Sequence, residues 1–473
     1  MDTSEDKIAA MEKIFSEQKS AFRKNPMPDA DARIRHLEQL KKALLKNRER
    51  MVRAIDADFS CRARDETLMA ELLPSVEGIR YARRRVRRWM KPRRRRMNPL
   101  FLPGRARLIY QPLGVVGIVV PWNYPLFLAA GPLTGALAAG NRVMIKMSEY
   151  TPQISAVFQE IMAHAFRSDH VHVVTGEAEV AAVFSELPWD HLLFTGSTAV
   201  GRRVMSAAAK NLTPVTLEMG GKSPAIVGPD IPVADAAERI AFGKLLNAGQ
   251  TCIAPDYVLC PEAEVAPFLE AFRKSAVSMY PSMDANRDYT AMVSDKHYKR
   301  ISALLDDARE KGARVDVINP EGEALSSGRK MPLYLVRDVK DEMAVMQEEI
   351  FGPILPVIGY RDLSEAVSRV NEKARPLVVY YFGYDRRNAS RVLTETSSGG
   401  AVVNDTLIHV TQDDLPFGGV GESGMGRYHG EEGFITFSNP RSIVYKPRLN
   451  SMKLVYPPYG RLLHRLIYRI FLQ

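Results

Sequence analysis

From Asn141 to Asn211, apolar runs of strand length alternate with helix-periodic segments: "NRVMIKMSE", "TPQISAVFQEIMAHAF", "VHVVTG", "EVAAVFSEL", "HLLFTGST" and "AVGRRVMSAAAKN". Strands separated by helices do not close as hairpins, so the pattern predicts a parallel sheet wrapped by helices. A second series starts at "SPAIVG" and continues through "DYVLC", "VAPFLEAFRKSAV", "YKRISALLDDAREKGA" and "LPVIGY" to "AVVND". Because 473 residues exceed what one hydrophobic core organises, two α/β domains are expected. Upstream, residues 5–59 read as two helices parted by Pro26 and Pro28. The second is long, with Ile34, Leu37, Leu40, Leu44 and Leu45 on one face. "RARLIYQPLGVVGIVVP" reads as two strands with a turn at Pro112 to Gly114. No internal repeat or long low-complexity linker interrupts this order.

Cysteine is sparse and odd in number: Cys61, Cys252 and Cys260. Three thiols make no disulfide framework and point to a reducing compartment, the cytoplasm. The stretch "MDTSEDKIAAMEKIF" lacks the basic start and apolar run of a secretory signal. No stretch approaches the ~18 consecutive apolar residues of a membrane-spanning helix. The net charge of +10 is concentrated, since Arg83 to Arg96 hold ten Lys or Arg and no acid, and the remainder balances to zero. Such a run is expected to be a solvated helix end followed by an arm broken at Pro92. The alternative is a docking patch for anionic lipid, nucleic acid or an acidic partner. No nucleic-acid module accompanies it, so no specific nucleic-acid partner is expected.

Four local patterns carry chemistry. In "HLLFTGSTAVGRRVM", Gly196 ends a strand and Gly201 opens a helix whose unpaired N–H groups suit the phosphates of a dinucleotide. A plain tight turn accounts for these glycines equally well. In "NAGQTCIAP", Cys252 follows Asn247, Gly249, Gln250 and Thr251, a polar loop whose backbone N–H groups lower a thiol pKa or hold an oxyanion. Cys61 and Cys260 fit an inert core role. Cysteine-protease signatures are absent, which leaves attack on a carbonyl with a base from elsewhere. Glu218 in "LEMGGKSP" lies between Leu217 and Met219, and a carboxylate in apolar company has the raised pKa that general-base work requires. A buried Glu paired with Lys or Arg is the alternative. Asn123 in "PWNYP" sits on a loop stiffened by two prolines, where its amide can face developing negative charge. No Cys/His cluster suggests a metal.

Taken in order, "PWNYP" at 121–125, "FTGST" at 194–198, "LEMGGKSP" at 217–224, "GQTCIAP" at 249–255, "EEIFGP" at 348–353 and "PFGGVGESGMGRYHG" at 416–430 resemble the aldehyde dehydrogenase superfamily. The "YHG" ending at Gly430 and the "YPPY" at Tyr456 to Tyr459 look like its class 3 branch. "DADFSCRARDETLMAE" and "YARRRVRRWMKPRRRR" look most like bacterial coniferyl-aldehyde dehydrogenases. The resemblance implies an α/β fold of two Rossmann-like parallel-sheet domains plus a small β oligomerisation arm. Residues 1–97 and 115–217 would form the NAD-binding domain and 218–403 the catalytic domain. Residues 98–114 and 404–447 would be bridging or oligomerisation elements, and 448–473 an amphipathic tail.

The resemblance also implies the chemistry. The Cys252 thiolate attacks an aldehyde, Asn123 and the Cys252 N–H hold the oxyanion, hydride passes to the nicotinamide, and water activated by Glu218 hydrolyses the thioester. It places Lys146 and Glu149 at the adenosine ribose and Gly196, Ser197, Thr198, Ala199, Val200 and Gly201 at the phosphates. Glu349 falls at the nicotinamide ribose and Phe351 beside the nicotinamide. Pro121, Trp122, Ser148, Gly176, Met219 and Gly220 complete the expected cofactor-binding set. Two departures stand out: Met147 replaces a usual proline and Met219 a commoner leucine, the second a mild change.

Glu149 would repel a 2′-phosphate, which favours NAD, while Lys146 leaves NADP open. Transfer of the acyl group to coenzyme A is disfavoured because relatives that do so generally lack the glutamate present here as Glu218. The branch implies coniferyl aldehyde as substrate and ferulate as product, with medium or long-chain fatty aldehydes as the alternative, and a homodimer. In the tail, Leu462, Leu463, Leu466, Ile467, Ile470 and Phe471 share one helical face against Arg461, His464, Arg465 and Arg469. That face is expected to pack over the body or a dimer partner, or else to make peripheral contact with an anionic membrane. A non-enzymatic scaffold is disfavoured by the intact Cys252, Glu218 and Asn123.

Overall fold

The computed structural model describes residues 3–325, 328–448 and 450–472. The first alternating series forms a six-stranded sheet in the order Gly424–Met425, Val215–Met219, His191–Gly196, Val115–Val119, Arg142–Lys146, Val171–Val174. Every pair in it is parallel except the one made by Gly424–Met425. The chain starts at Val115–Val119 in the middle, moves outward to one side, then returns to place His191–Gly196 on the other. The order therefore reverses between Val115–Val119 and His191–Gly196, and at such a point the loops beyond the strand ends splay apart to leave a crevice. Helix Phe127–Ala139, apolar on all sides, is almost wholly buried, as a helix without a polar face must be.

The second series forms a seven-stranded sheet in the order Arg314–Ile318, Leu333–Arg337, Ile354–Tyr360, Tyr257–Pro261, Pro224–Val227, Val378–Phe382, Gly400–Val403, antiparallel only at its Arg314–Ile318 edge. Its central strands are buried on both faces and carry an almost continuous apolar sequence, as parallel strands between helical layers do. Arg93–Arg95, Arg105–Pro112 and Ser438–Tyr445 make a third, antiparallel sheet of three strands. These are the two parallel-sheet units that the alternation predicts and a small β element such as the resemblance implies.

Several boundaries move. Arg93–Arg95 pairs in the small sheet rather than within a 1–97 unit, because extended backbone after Pro92 finds Arg105–Pro112 alongside. Val215–Met219 carries Glu218 in the first sheet, and Gly424–Met425 returns to that sheet from far along the chain. The expected long second helix is two, Ala30–Lys46 and Arg48–Phe59, broken at Asn47. The Asn47 side chain donates to the carbonyl of Ala43 at 2.9 Å, the local competition with helical bonding that makes Asn a poor interior residue.

The basic run continues helix Leu73–Trp89 into the small sheet. Arg83, Arg87 and Arg93 pair with Glu38, Asp31 and Glu431, while Arg84, Arg88, Lys91, Arg94, Arg95 and Arg96 face solvent. In the tail helix Leu462–Phe471, Leu463 and Ile467 are half-buried, but Leu462, Leu466, Ile470 and Phe471 are exposed. His464, expected on the polar face, is instead 2% exposed, between the rings of Tyr459 and Tyr468. No described helix is long and apolar enough to cross a membrane.

Candidate active site

The loop after helix Val233–Leu245 takes three left-handed residues in succession, Asn247 (φ 54°), Ala248 (φ 51°) and Gly249 (φ 74°). At Gly249 a Cβ would come 2.5 Å from the carbonyl oxygen of Gly352, so only glycine fits both the conformation and the space. Side chains hold this conformation. Gln250 donates from Nε2 to the carbonyls of Asn247 (3.0 Å) and Ala291 (3.1 Å) and accepts at Oε1 from the Val293 N–H (3.0 Å). The Tyr380 hydroxyl donates to the carbonyl of Ile253.

The loop leaving Val115–Val119 meets this one from the other sheet. Asn123 Nδ2 donates to the Gln250 carbonyl at 3.1 Å, and Asn247 Nδ2 donates to the Asn123 carbonyl at 3.2 Å. The hydroxyls of Tyr124 and Thr251 are 2.8 Å apart. Asn123 and Cys252 thus belong to one stitched unit, although 129 positions separate them in the chain.

Cys252 is half-buried. Burial, followed by the charges of Glu349 and Glu218, pushes its thiol from 9.0 up to about 12, against the backbone N–H groups of Cys252 and Ile253. Of the two roles expected of the loop amides, lowering the thiol pKa or holding an oxyanion, the first does not prevail: burial and two carboxylates outweigh the backbone N–H groups at the sulfur. Glu218 is 3% exposed, and neither carboxyl oxygen has a hydrogen-bond partner. Burial raises its pKa well above the usual carboxylate value, with Arg427 opposing. The guanidinium of Arg427 donates instead to the carbonyls of Gly399 (3.2 Å) and Gly418 (2.6 Å), so the paired-glutamate alternative is not what forms. A Cβ at Gly418 would stand 2.9 Å from Glu218 Oε1, and the glycine leaves the carboxyl room. Burying an unpartnered carboxyl is costly, and such groups concentrate at functional sites.

The expected cofactor residues gather at the carboxyl ends of the first sheet. Helix Thr198–Ala209 starts without a side-chain cap, and Ser197, Ala199 and Val200 are exposed around its open first-turn N–H groups. Gly196 and Thr198 are half-buried there, but Gly201 is buried, and a Cβ on it would lie 2.4 Å from Met219 Sδ. Gly201 thus lets the helix close on Met219. Lys146 ends its strand with Nζ donating to the carbonyl of Met147 (2.6 Å) and 3.9 Å from Glu149; burial lowers its pKa. Ser148 is buried beside them, and Gly176 (φ 150°) follows the next strand.

Across the crevice, burial and Asp256 push Glu349 from 4.5 up to about 8, and its Oε1 is buried without a partner. Its carboxylate lies against Gly220, where a Cβ would fall 2.1 Å from Oε1. Phe351 (φ 57°) packs its ring 5.3 Å from that of Trp122, and Pro121 beside it is half-buried. An open helix N-terminus, an orphaned buried carboxylate oxygen and a Lys–Glu pair at strand ends fit a nicotinamide dinucleotide.

Residues outside these expectations hold the site together. Lys222 pairs with Asp256 and donates to the carbonyls of Val345 (2.7 Å) and Glu348 (3.1 Å), while Asp256 accepts from the Ile350 N–H (2.9 Å). Together they fix the segment that carries Glu349. Lys222 and Asp256 lie within or directly after the motif stretches, but nothing local in the sequence pairs them. Phe417 stacks on His429 at 5.1 Å, with His409 at 5.7 Å and Tyr428 at 6.0 Å, forming an aromatic wall next to Gly418 and Glu218. The ring nitrogens of both histidines are buried without partners.

Residues 2–443 match the model of the aldehyde dehydrogenase family. The chain is 54% identical over 470 residues to a probable coniferyl aldehyde dehydrogenase of Pseudomonas aeruginosa, covering 99% of this chain and 98% of that one. It is 35% identical to a dimeric NADP-preferring aldehyde dehydrogenase of Canis lupus familiaris, covering 95% and 98%. A solved, substrate-bound Staphylococcus aureus AldH superimposes with a TM-score of 0.92 at 36% identity, over 98% and 99% of the two chains. Other solved structures of the same fold hold nicotinamide adenine dinucleotide. A family match over almost the whole chain, joined to a crevice that fits the dinucleotide, leaves one conclusion: the chain belongs to the aldehyde dehydrogenase family and is an NAD(P)-dependent aldehyde-oxidising enzyme.

Proposed function

We propose that the enzyme oxidises coniferyl aldehyde to ferulate through a thioester on Cys252. The observation that carries the mechanism is the buried, unpartnered carboxyl of Glu218 sharing a pocket with the Cys252 thiol and the Asn123 loop. The thiol is held protonated, so attack requires its proton to pass to a neighbouring base, and Glu218 and Glu349 are the carboxylates that act on it. Sγ then bonds to the aldehyde carbon as the carbonyl π pair moves to oxygen. That oxyanion is held by the Asn123 amide and the Cys252 N–H. NAD(P), when bound, supplies the acceptor for the hydride expelled as the oxyanion collapses. With the thiol proton passed on to solvent, Glu218 takes a proton from water, the hydroxide adds to the thioester carbon, and Sγ leaves as thiolate, which recovers that proton as the carboxylic acid is released.

The residues proposed to hold the cofactor are Lys146, Ser148, Glu149 and Gly176 toward the adenosine, Gly196 to Val200 at the pyrophosphate, and Pro121, Trp122, Gly220, Glu349 and Phe351 toward the nicotinamide. Gly201 and Met219 support them by packing. The Glu149 carboxylate beside Lys146 favours NAD over NADP.

Two observations support an aryl substrate: the name borne by the 54% identical relative, and the wall of Phe417, Tyr428, His409 and His429 flanked by Phe127. Flat aromatic faces suit a conjugated aryl propenal better than a flexible alkyl chain. Cofactor reduction on coniferyl aldehyde and on a long-chain alkanal, with NAD and NADP in parallel, tests this. Faster turnover of the alkanal would transfer the assignment to fatty aldehydes. The proposed working form is a cytoplasmic homodimer, in which a second copy covers the exposed apolar side of helix Leu462–Phe471. Co-sedimentation of intact but not tail-deleted protein with anionic vesicles would favour a membrane surface instead.

A further inference from the structure

One buried cation outside the catalytic set touches the loop that carries Asn123. Arg62 is 1% exposed, a rare state for a guanidinium, and its Nη1 donates to the main-chain carbonyl of Asn123 at 3.0 Å. The same Nη1 lies 2.9 Å from Glu71 Oε1, and Nε lies 3.4 Å from Glu66 Oε1. Glu71 is itself wholly buried. Its Oε2 accepts the N–H groups of Leu126 (2.7 Å) and Phe127 (3.1 Å), the open start of helix Phe127–Ala139, which has no capping side chain of its own. Here a carboxylate from another segment performs the capping and meets the positive end of the helix.

Glu71 is delivered by a turn of π-helix, Leu68–Leu72, set between Arg64–Thr67 and Leu73–Trp89. Such insertions are uncommon and recur at functional positions. The guanidinium also lies over the Tyr124 ring at 4.8 Å, and the Tyr124 hydroxyl meets Thr251, the residue before Cys252. One cation therefore grips the Asn123 peptide, the next side chain along, and, through Glu71, the end of the same loop. Asn123 Nδ2 is already held by the Gln250 carbonyl, so a small rotation of the Asn123 peptide redirects its remaining N–H.

We propose that Arg62, clamped by Glu71, is a positioning residue that aims the Asn123 side-chain amide at the oxyanion formed on the Cys252 adduct. The inference rests on the oxyanion role given to Asn123 above. Buried charge pairs are weak evidence of stabilisation in themselves, since desolvation offsets much of their attraction. What the pair supplies here is geometry, and misplacement of a reacting group by about 1 Å costs on the order of 10²-fold in rate.

The test is a double-mutant cycle on the hydride-transfer burst, using Arg62→Met, Asn123→Ala and the double variant of the full chain with NAD and an aldehyde it oxidises. Expected is a loss of roughly 10 to 10²-fold in burst rate for Arg62→Met, with KM for NAD changed less than about threefold. In the Asn123→Ala background the same substitution should cost less than about threefold, because the group it aims is gone. Arg62→Lys, which keeps the charge and N–H donors but not the planar fork, should recover part of the rate. An equal fold-loss in both backgrounds, or no loss from Arg62→Met, overturns the proposal. If Arg62→Met is recovered unfolded, the same cycle with Arg62→Lys decides by the same criterion. An Asn123→Ala enzyme as fast as the parent would overturn the oxyanion reading itself, whereas a slow Asn123→Ala with additive Arg62 losses overturns only the positioning.

Discussion

The side-chain amide of Asn123 donates to the main-chain carbonyl of Gln250 at 3.1 Å, so the proposed oxyanion donor and the thiol loop move as one body. Removing that donor should therefore act on chemistry more than on binding. Asn123→Ala is expected to lower kcat by on the order of 10²- to 10³-fold, with a much smaller change in KM for the cofactor. Steady-state kinetics check this; a change confined to KM contradicts it.

Gln250 braces the loop through three bonds to Asn247, Ala291 and Val293, all buried. Gln250→Leu fills the same volume but takes away the side-chain partners of the Ala291 carbonyl and the Val293 N–H, each a penalty of about 1 to 3 kcal/mol, while the Asn247 carbonyl keeps its bond from the Gln250 main-chain N–H. A lower melting temperature together with lost activity is expected, and calorimetry beside an activity assay reads both.

Lys222 fixes the segment carrying Glu349 and lies outside the proposed chemistry. Lys222→Met should raise KM for the cofactor by roughly tenfold while kcat falls less, since it loosens a binding element. A kcat loss with unchanged KM would assign Lys222 a different part.

One part of the pH dependence of stability comes from His191, buried against Thr216 at 2.9 Å and lowered by burial from 6.5 to about 4, as His36, His297 and His409 also are. The unfolded chain binds a proton below 6.5 that the fold refuses until about 4, so stability is lost as pH falls through that window. The loss from this residue is on the order of 3 kcal/mol. Thermal melts across the window should show this acid limb, and His191→Gln should make it shallower by that amount. An unchanged limb would mean that His191 is protonated inside the fold.

Much of this architecture is legible in sequence because parallel sheets write themselves as apolar runs between helical ones, and the motif stretches fall where those runs end. Asn123, Glu218 and Cys252, each singled out in the sequence by residue type and neighbours, lie together in the fold. Arg62 is not marked out: nothing in "SCRARDE" announces a buried guanidinium, and its partner carbonyl is 61 positions away. The direction of the Cys252 thiol's pKa is hidden from the sequence for a related reason. The amides that favour thiolate are its sequence neighbours, whereas the carboxylates that disfavour it arrive from distant segments. Gly424–Met425 is too short to announce a strand, yet it pairs beside Glu218.

Glu218→Gln separates the two halves of the proposed reaction. The raised pKa of Glu218 means that its base form grows as pH rises, so parent turnover should increase with pH while the variant stays flat and slower by roughly 10² to 10⁴-fold.

That variant also permits the most direct measurement: intact-protein and peptide mass spectrometry of Glu218→Gln quenched after mixing with coniferyl aldehyde and NAD. A burst of reduced cofactor with a feruloyl group on the peptide bearing Cys252, absent from Cys252→Ala, is the predicted result. A burst without an acyl adduct, or an adduct that persists in Cys252→Ala, would contradict the thioester mechanism.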